Sequence, residues 1–152
     1  MSEYLCTAIK LSRYVVGKCA RDGKPVSNLQ LQKILYFLQS VYCRATSGGL
    51  LFADAFEAWP YGPVIPSVYR EFSKFGGDVI DDCRDITSPG FGGSAKFFID
   101  SGIEALREKS PWDLVRTSHA QGSPWDITYR GGDGYKDVIP NDLIIAAATK
   151  GE

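Results

Sequence analysis

The 152 residues include Lys+Arg 17 against Asp+Glu 18, a formal net charge of -1, and 44% of them are hydrophobic. A chain of that size can bury a core without disulfides or metals. Near-neutrality supplies no general footprint for nucleic acid or an anionic membrane, which disfavours a nucleic-acid role while leaving room for a local patch. The start, Met1-Ser2-Glu3-Tyr4, lacks the basic-then-apolar order of a signal peptide, and no apolar run reaches membrane-span length. The expectation is therefore a cytoplasmic protein with no membrane partner, organised as one domain over residues 1–152. Cys6, Cys19, Cys43 and Cys83 are scattered, without a Cys-x-x-Cys pair, and read as small core residues of a reducing compartment.

In chain order, Leu5, Ala8, Ile9, Ser12, Val15, Val16 and Cys19 recur at helical spacing and predict a first helix from about Glu3 to Ala20. Arg21-Asp22-Gly23-Lys24-Pro25 is a turn by composition. Ser27-Asn28-Leu29-Gln30 then has the Ser-x-x-Gln form of a capping box and opens a long helix with a stripe of Leu31, Ile34, Leu35, Leu38, Val41, Tyr42 and Ala45, widened by Phe37. Tyr36 lies more than a right angle from that stripe. Either the helix is central and covered on two sides, which is the favoured reading, or it shows Tyr36 to a partner. Gly48-Gly49 ends it.

Leu51 to Trp59 reads as a short extended segment or β-hairpin near residues 51–60. Trp59-Pro60-Tyr61-Gly62-Pro63 is a rigid corner, because each proline fixes its own φ and biases the residue before it. Pro66 fits a first helical turn, and Ile65, Val68, Tyr69, Phe72 and Phe75 make another apolar stripe up to Gly76-Gly77. From Gly76 to about Phe97 the glycines and Pro89 predict a loop, with Asp100 or Ser101 capping a short helix over Ile103 and Leu106. Ser110-Pro111-Trp112-Asp113 starts a helix toward His119 that ends at Gly122-Ser123-Pro124-Trp125. Arg130 to Gly134 is a loop, and Asn141 or Asp142 caps a terminal helix. The fold class is mainly α.

Few groups could support chemistry. His119 is the sole histidine; with a cysteine or Asp113 it could act as a general base, but no motif sets a nucleophile beside it. A ring bonded at a helix end or buried beside Trp125 is the preferred reading. Dispersed cysteines and one histidine make no zinc set, and Asp78, Asp81, Asp82 and Asp85 lack the glycine and terminal glutamate of an EF-hand loop. Gly131-Gly132-Asp133-Gly134 lacks the ending of a phosphate loop. No metal, cofactor or enzymatic activity is expected. Trp59, Tyr61, Trp112 and Trp125 are aromatic residues of the kind found both in cores and at interface anchors, and Tyr61, on a turn, is the best candidate for exposure.

Three blocks together, Ser27 to Phe37 (SNLQLQKILYF), Glu57 to Pro66 (EAWPYGPVIP) with Val68-Tyr69, and Trp112 to Val115 (WDLV) with Thr117, His119 and Ser123-Pro124-Trp125, resemble the Panacea domain family of SocA-type antitoxins and GepA-like phage-associated proteins. Val138-Ile139-Pro140 before Leu143-Ile144 is a weaker echo. The resemblance implies a helical, non-catalytic antitoxin that neutralises a protein toxin encoded nearby by direct contact. It also implies an alternative, an adaptor delivering its partner to a ClpXP-type protease; a nucleic-acid-binding regulator, through the helices, is the least favoured reading because the charge is near neutral. Candidate partner-binding residues are Tyr61, Trp59, Tyr36, Trp112 and His119.

Overall fold

The computed structural model describes residues 4–82 and 90–150. Seven α-helices, α1 (Ala8–Arg21), α2 (Asn28–Ala45), α3 (Pro66–Glu71), α4 (Gly93–Leu106), α5 (Pro111–Ser118), α6 (Pro124–Tyr129) and α7 (Asn141–Thr149), enclose a small sheet of β1 (Phe56–Trp59), β2 (Gly62–Val64) and β3 (Val138–Ile139) among these residues. The fold is mainly α, as the periodicity predicts. Strand order is β2-β1-β3, both pairs antiparallel, with Glu57 opposite Val64 in one register and Phe56 opposite Ile139 in the other. The hairpin thus spans residues 56–64, a few residues later than expected, and its third strand arrives from far along the chain.

α2 is the central helix. Ser27 caps it in a reciprocal box, its side chain accepting from Gln30 N while Gln30 Oε1 accepts from Ser27 N. The helix packs against α1, α4, α5, α7 and the hairpin. Leu31, Ile34, Leu35 and Leu38 are buried, and so is Tyr36, edge-on to Phe37 and Phe56. This settles the two-way reading of Tyr36: its ring is interior. Val41, assigned to the same stripe, is instead half exposed.

The polar residues of α2 explain how the following chain is held. Gln39 donates to Phe52 O at 2.9 Å and accepts from Leu51 N at 2.7 Å. Lys33 Nζ donates to Pro63 O at 2.9 Å, Gln32 accepts from Ile65 N at 2.9 Å, and Asn28 donates to Tyr69 O at 3.1 Å. As the chain runs from 51 to 69 its partners on α2 run back from 39 to 28, so the segment lies antiparallel along the helix. Each bond satisfies a backbone group that would cost about 1–3 kcal/mol if buried alone.

Four boundaries differ from expectation. α1 starts at Ala8 with Thr7 as its cap, because Leu5 N and Cys6 N both turn to Leu51 O (3.0 and 3.2 Å) instead of joining a helical ladder. The long predicted loop ends at Gly92, which is the N-cap of α4. Asp100 and Ser101 consequently sit inside α4, where Asp100 accepts from Tyr14 Oη and Lys96 Nζ rather than capping. The pattern Ala95, Ile99, Ile103 and Leu106 supplies the helical face that the neighbouring glycines obscured. Ser123-Pro124-Trp125 begins α6 instead of only ending α5: Ser123 accepts from Asp126 N and Pro124 takes the first turn. Asn141 is the first residue of α7, its amide donating to Ala53 O, and Pro140 stands at the cap. Cys19 and Cys43 are buried and Cys6 half-buried. Cys83 and Asp85 lie outside the described residues.

No described helix is long and apolar enough to cross a membrane. Among the described residues, no three His, Cys, Asp or Glu side chains converge as a metal site.

Candidate partner-binding groove

The turn Pro60-Tyr61 between β1 and β2 is pinned from below by side chains of three helices. Lys33 of α2 binds Pro63 O, Trp125 of α6 donates its indole N–H to Trp59 O at 2.7 Å, and His119 at the end of α5 faces the backbone of Tyr61. Gly62 closes the arrangement with φ +114, and a Cβ there would lie 2.7 Å from both Lys33 Cε and Ser118 Oγ. Only glycine accommodates both the left-handed φ and that approach.

Lys33 is fully buried. Burial pushes its amine down from 10.5 to about 7, so the group bonding Pro63 O shares its proton with solvent about equally at neutral pH and becomes neutral above it. Desolvation lowers His119 as well, with the nearby Lys33 charge acting in the same direction. The imidazole lies flat on Trp125, ring centroids 3.7 Å apart and planes within 2°, and Trp125 stacks in turn on Tyr129 at 4.6 Å. His119 Nε2 is buried without a hydrogen-bond partner. Asp113, the carboxylate considered for a dyad, is instead paired with Arg116. Ser118, the neighbouring hydroxyl, donates to Val115 O at 2.8 Å. This geometry makes His119 part of the support of the turn.

Above that support the surface is aromatic. Tyr61 and Trp112, 58% and 56% exposed, meet edge to face at 5.8 Å. Trp59 leans on Tyr69 at 5.1 Å, and its indole N–H donates to Glu57 Oε1 at 3.0 Å. The two pairs flank a groove of about 440 Å³ whose floor includes Asn28, Leu29 and Gln32 and whose rim includes Pro60 and Pro111. Trp112 reaches the rim because Ser110 caps α5 and Pro111 occupies its first turn, which puts Trp112 beside the hairpin.

Of the five residues the sequence suggested, Tyr61, Trp59 and Trp112 meet at this groove. His119 lies beneath it, and Tyr36 is withdrawn into the core. Sequence reasoning missed Tyr69, assigned to a core stripe yet 40% exposed in the groove wall. It also missed Lys33, which in the sequence reads as one more polar residue of α2, off the apolar stripe. A second apolar depression of about 540 Å³, between α2 and α4, exposes Val41 and Phe97.

The fold is thus mainly helical, with buried polar groups holding an aromatic turn at its surface. A family model described as "Antitoxin SocA-like, Panacea domain" matches residues 31–126, and the chain belongs to that family. It is also similar to "Antitoxin SocA" of Caulobacter vibrioides (strain NA1000 / CB15N), 34% identical over 131 residues, 80% of this chain and 69% of that relative. No solved structure matches. The matched span contains Gln32, Lys33, the hairpin, Trp112, His119 and Trp125, and therefore nearly the whole support of the groove.

Proposed function

We propose that this chain, acting as one Panacea-like domain, is a non-enzymatic cytoplasmic antitoxin that neutralises a partner toxin by direct protein–protein binding at the aromatic groove. The observation behind this reading is the exposed Tyr61–Trp112 pair, set on a turn whose backbone is bonded from α2 and α6. Rigid aromatic side chains lose little entropy on binding, and Trp and Tyr are enriched among residues that dominate interface energies. The membership in an antitoxin-named family and the similarity to "Antitoxin SocA" support the same reading.

Co-expression tests it. Each gene adjacent to this one is induced with and without this protein, and the surviving culture is subjected to co-purification. Rescue of a toxic neighbour together with a stable complex is the expected result. Rescue accompanied by loss of the neighbour's protein would replace sequestration by delivery to a protease. Absence of any toxic neighbour rescued by this chain would overturn the antitoxin reading.

A further inference from the structure

The turn that carries Tyr61 rests on two bases and no acid. Lys33 Nζ makes one hydrogen bond among the described residues, to Pro63 O at 2.9 Å. An ammonium has three donors, so a charge in that fully buried place would leave two of them unused. His119, the second base, hydrogen-bonds the backbone of Tyr61, and its Nε2 is buried without a partner. A charge on Lys33 opposes a second one on His119, so the support takes up one proton before it takes up two.

The charged groups around this support are engaged elsewhere. On β1, Glu57 accepts from the Trp59 indole N–H; on α5, Asp113 pairs with Arg116; on α6, Asp126 accepts from Gly122 N and raises His119. β2 has no titratable residue. On the other helices packed against α2, Lys18 pairs with Asp22 and Glu104, Arg13 with Glu71 and Lys96 with Asp100. Neither these nor Arg70 of α3 and Asp142 of α7 act on Lys33, for which burial is the one cause of its shift. On the groove side the cover over Lys33 is the backbone of Gly62, where a Cβ would lie 2.7 Å from Lys33 Cε and 3.2 Å from Nζ, while Pro60 and Tyr61 beside it are exposed. Lifting this turn is therefore the direct way to bring water to a charge on Lys33, whose burial unpaired is costly.

We infer that the Pro60 to Pro63 turn is a proton-controlled support: with Lys33 and His119 neutral it holds Tyr61 against Trp112, and a proton taken up at Lys33 loosens the turn and the groove wall with it. Weaker partner binding in acid follows, and that consequence rests on the groove reading above. The full chain is titrated from about pH 6 to about pH 9 and followed by NMR. Lysine ¹³Cε and histidine ¹³Cε1 labels read the two bases separately, His119 being the sole histidine. The Gly62 amide and the Trp125 indole N–H, which donates to Trp59 O, read the two ends of the turn.

Lys33 is expected to titrate near 7, with both turn signals moving at the same midpoint and His119 titrating lower. Lys33→Met should remove that step from the turn signals and leave the histidine titration in place; should the variant not fold, the shared midpoint in the wild-type chain decides. Turn signals that stay still while Lys33 titrates, a Lys33 that titrates like an exposed lysine, or a turn step that survives in Lys33→Met overturns the inference. A toxic neighbour that co-purifies should bind up to about tenfold more weakly at pH 6 than at pH 8, the factor set by the fraction of chains with Lys33 neutral, and Lys33→Met should lack that dependence. Should the turn titrate as expected while wild type and Lys33→Met bind the neighbour with the same pH dependence, the proton-controlled turn stands and the groove is refuted as the partner's site.

Discussion

Replacing the buried lysine beneath the turn, Lys33→Met, isolates the cost of holding an amine where no water reaches. Burial moves its titration from 10.5 to about 7, which at 1.36 kcal/mol per pH unit corresponds to roughly 5 kcal/mol against the folded state at neutral pH. The sign follows from proton binding. Between about pH 7 and 10.5 the unfolded chain holds a proton on Lys33 that the folded chain does not, so wild-type stability climbs as pH rises across that window. Methionine keeps most of the side-chain volume but lacks the donor to Pro63 O, a loss of about 1–3 kcal/mol at any pH. The variant should therefore be more stable than wild type at pH 7, and its advantage should shrink by roughly 2 kcal/mol by pH 9. Urea unfolding followed by tryptophan fluorescence at both pH values measures this, and subtraction between the two proteins cancels groups that titrate alike in both. An identical stability difference at pH 7 and 9 would show that Lys33 is not neutralised on folding.

Tyr61→Ala and Trp112→Ala should each weaken partner binding by about 2 kcal/mol, some 30-fold, as truncation of an interface anchor does. Their melting temperatures should stay near wild type because both rings are largely exposed; binding calorimetry with the co-purified partner and thermal melts read the two effects separately. Gly62→Ala meets φ +114, Lys33 and Ser118 together, and should cost about 3 kcal/mol or more from strain and overpacking, measured by chemical denaturation. The hydrogen bond from Arg107, aided by Lys18, holds the Asp22 carboxyl down from 3.8 to about 2. Its contribution is present above the unfolded value of 3.8 and lost as pH falls through about 2, so Asp22→Asn should lose stability near neutrality but not below pH 2. Solvent screening at this partly exposed site limits the loss to about 1 kcal/mol.

Local signals determined much of the skeleton. The Ser27 box, Pro66 and Pro111 at first turns and the apolar stripe of α2 act within a few residues of themselves, so capping, fixed φ and periodicity suffice to read them. The rigid corner at Pro60 to Pro63 was legible for the same reason, and with it the exposure of Tyr61. The start of α4 was obscured because Gly92 and Gly93 break a pattern by composition while serving a cap in space. Comparable ambiguity attended Ser123-Pro124-Trp125, whose residues suit an ending and a beginning equally well.

Tertiary structure alone decided the rest. β3 completes the sheet by pairing Ile139 with Phe56 across most of the chain, a choice no local preference can express. Asn28, Gln32, Lys33 and Gln39 look like an ordinary polar edge in sequence; only the antiparallel course of residues 51–69 along α2 makes them the partners of buried backbone groups. Tyr36 took the interior place favoured for it, whereas Tyr69, expected in a core stripe, stands in the groove wall, because burial depends on which elements pack around a helix and not on its own periodicity alone. The sequence alone determined which aromatic residues and turns the chain possesses. The packing of α2, α5 and α6 under the hairpin decided which of those rings stand together at one groove.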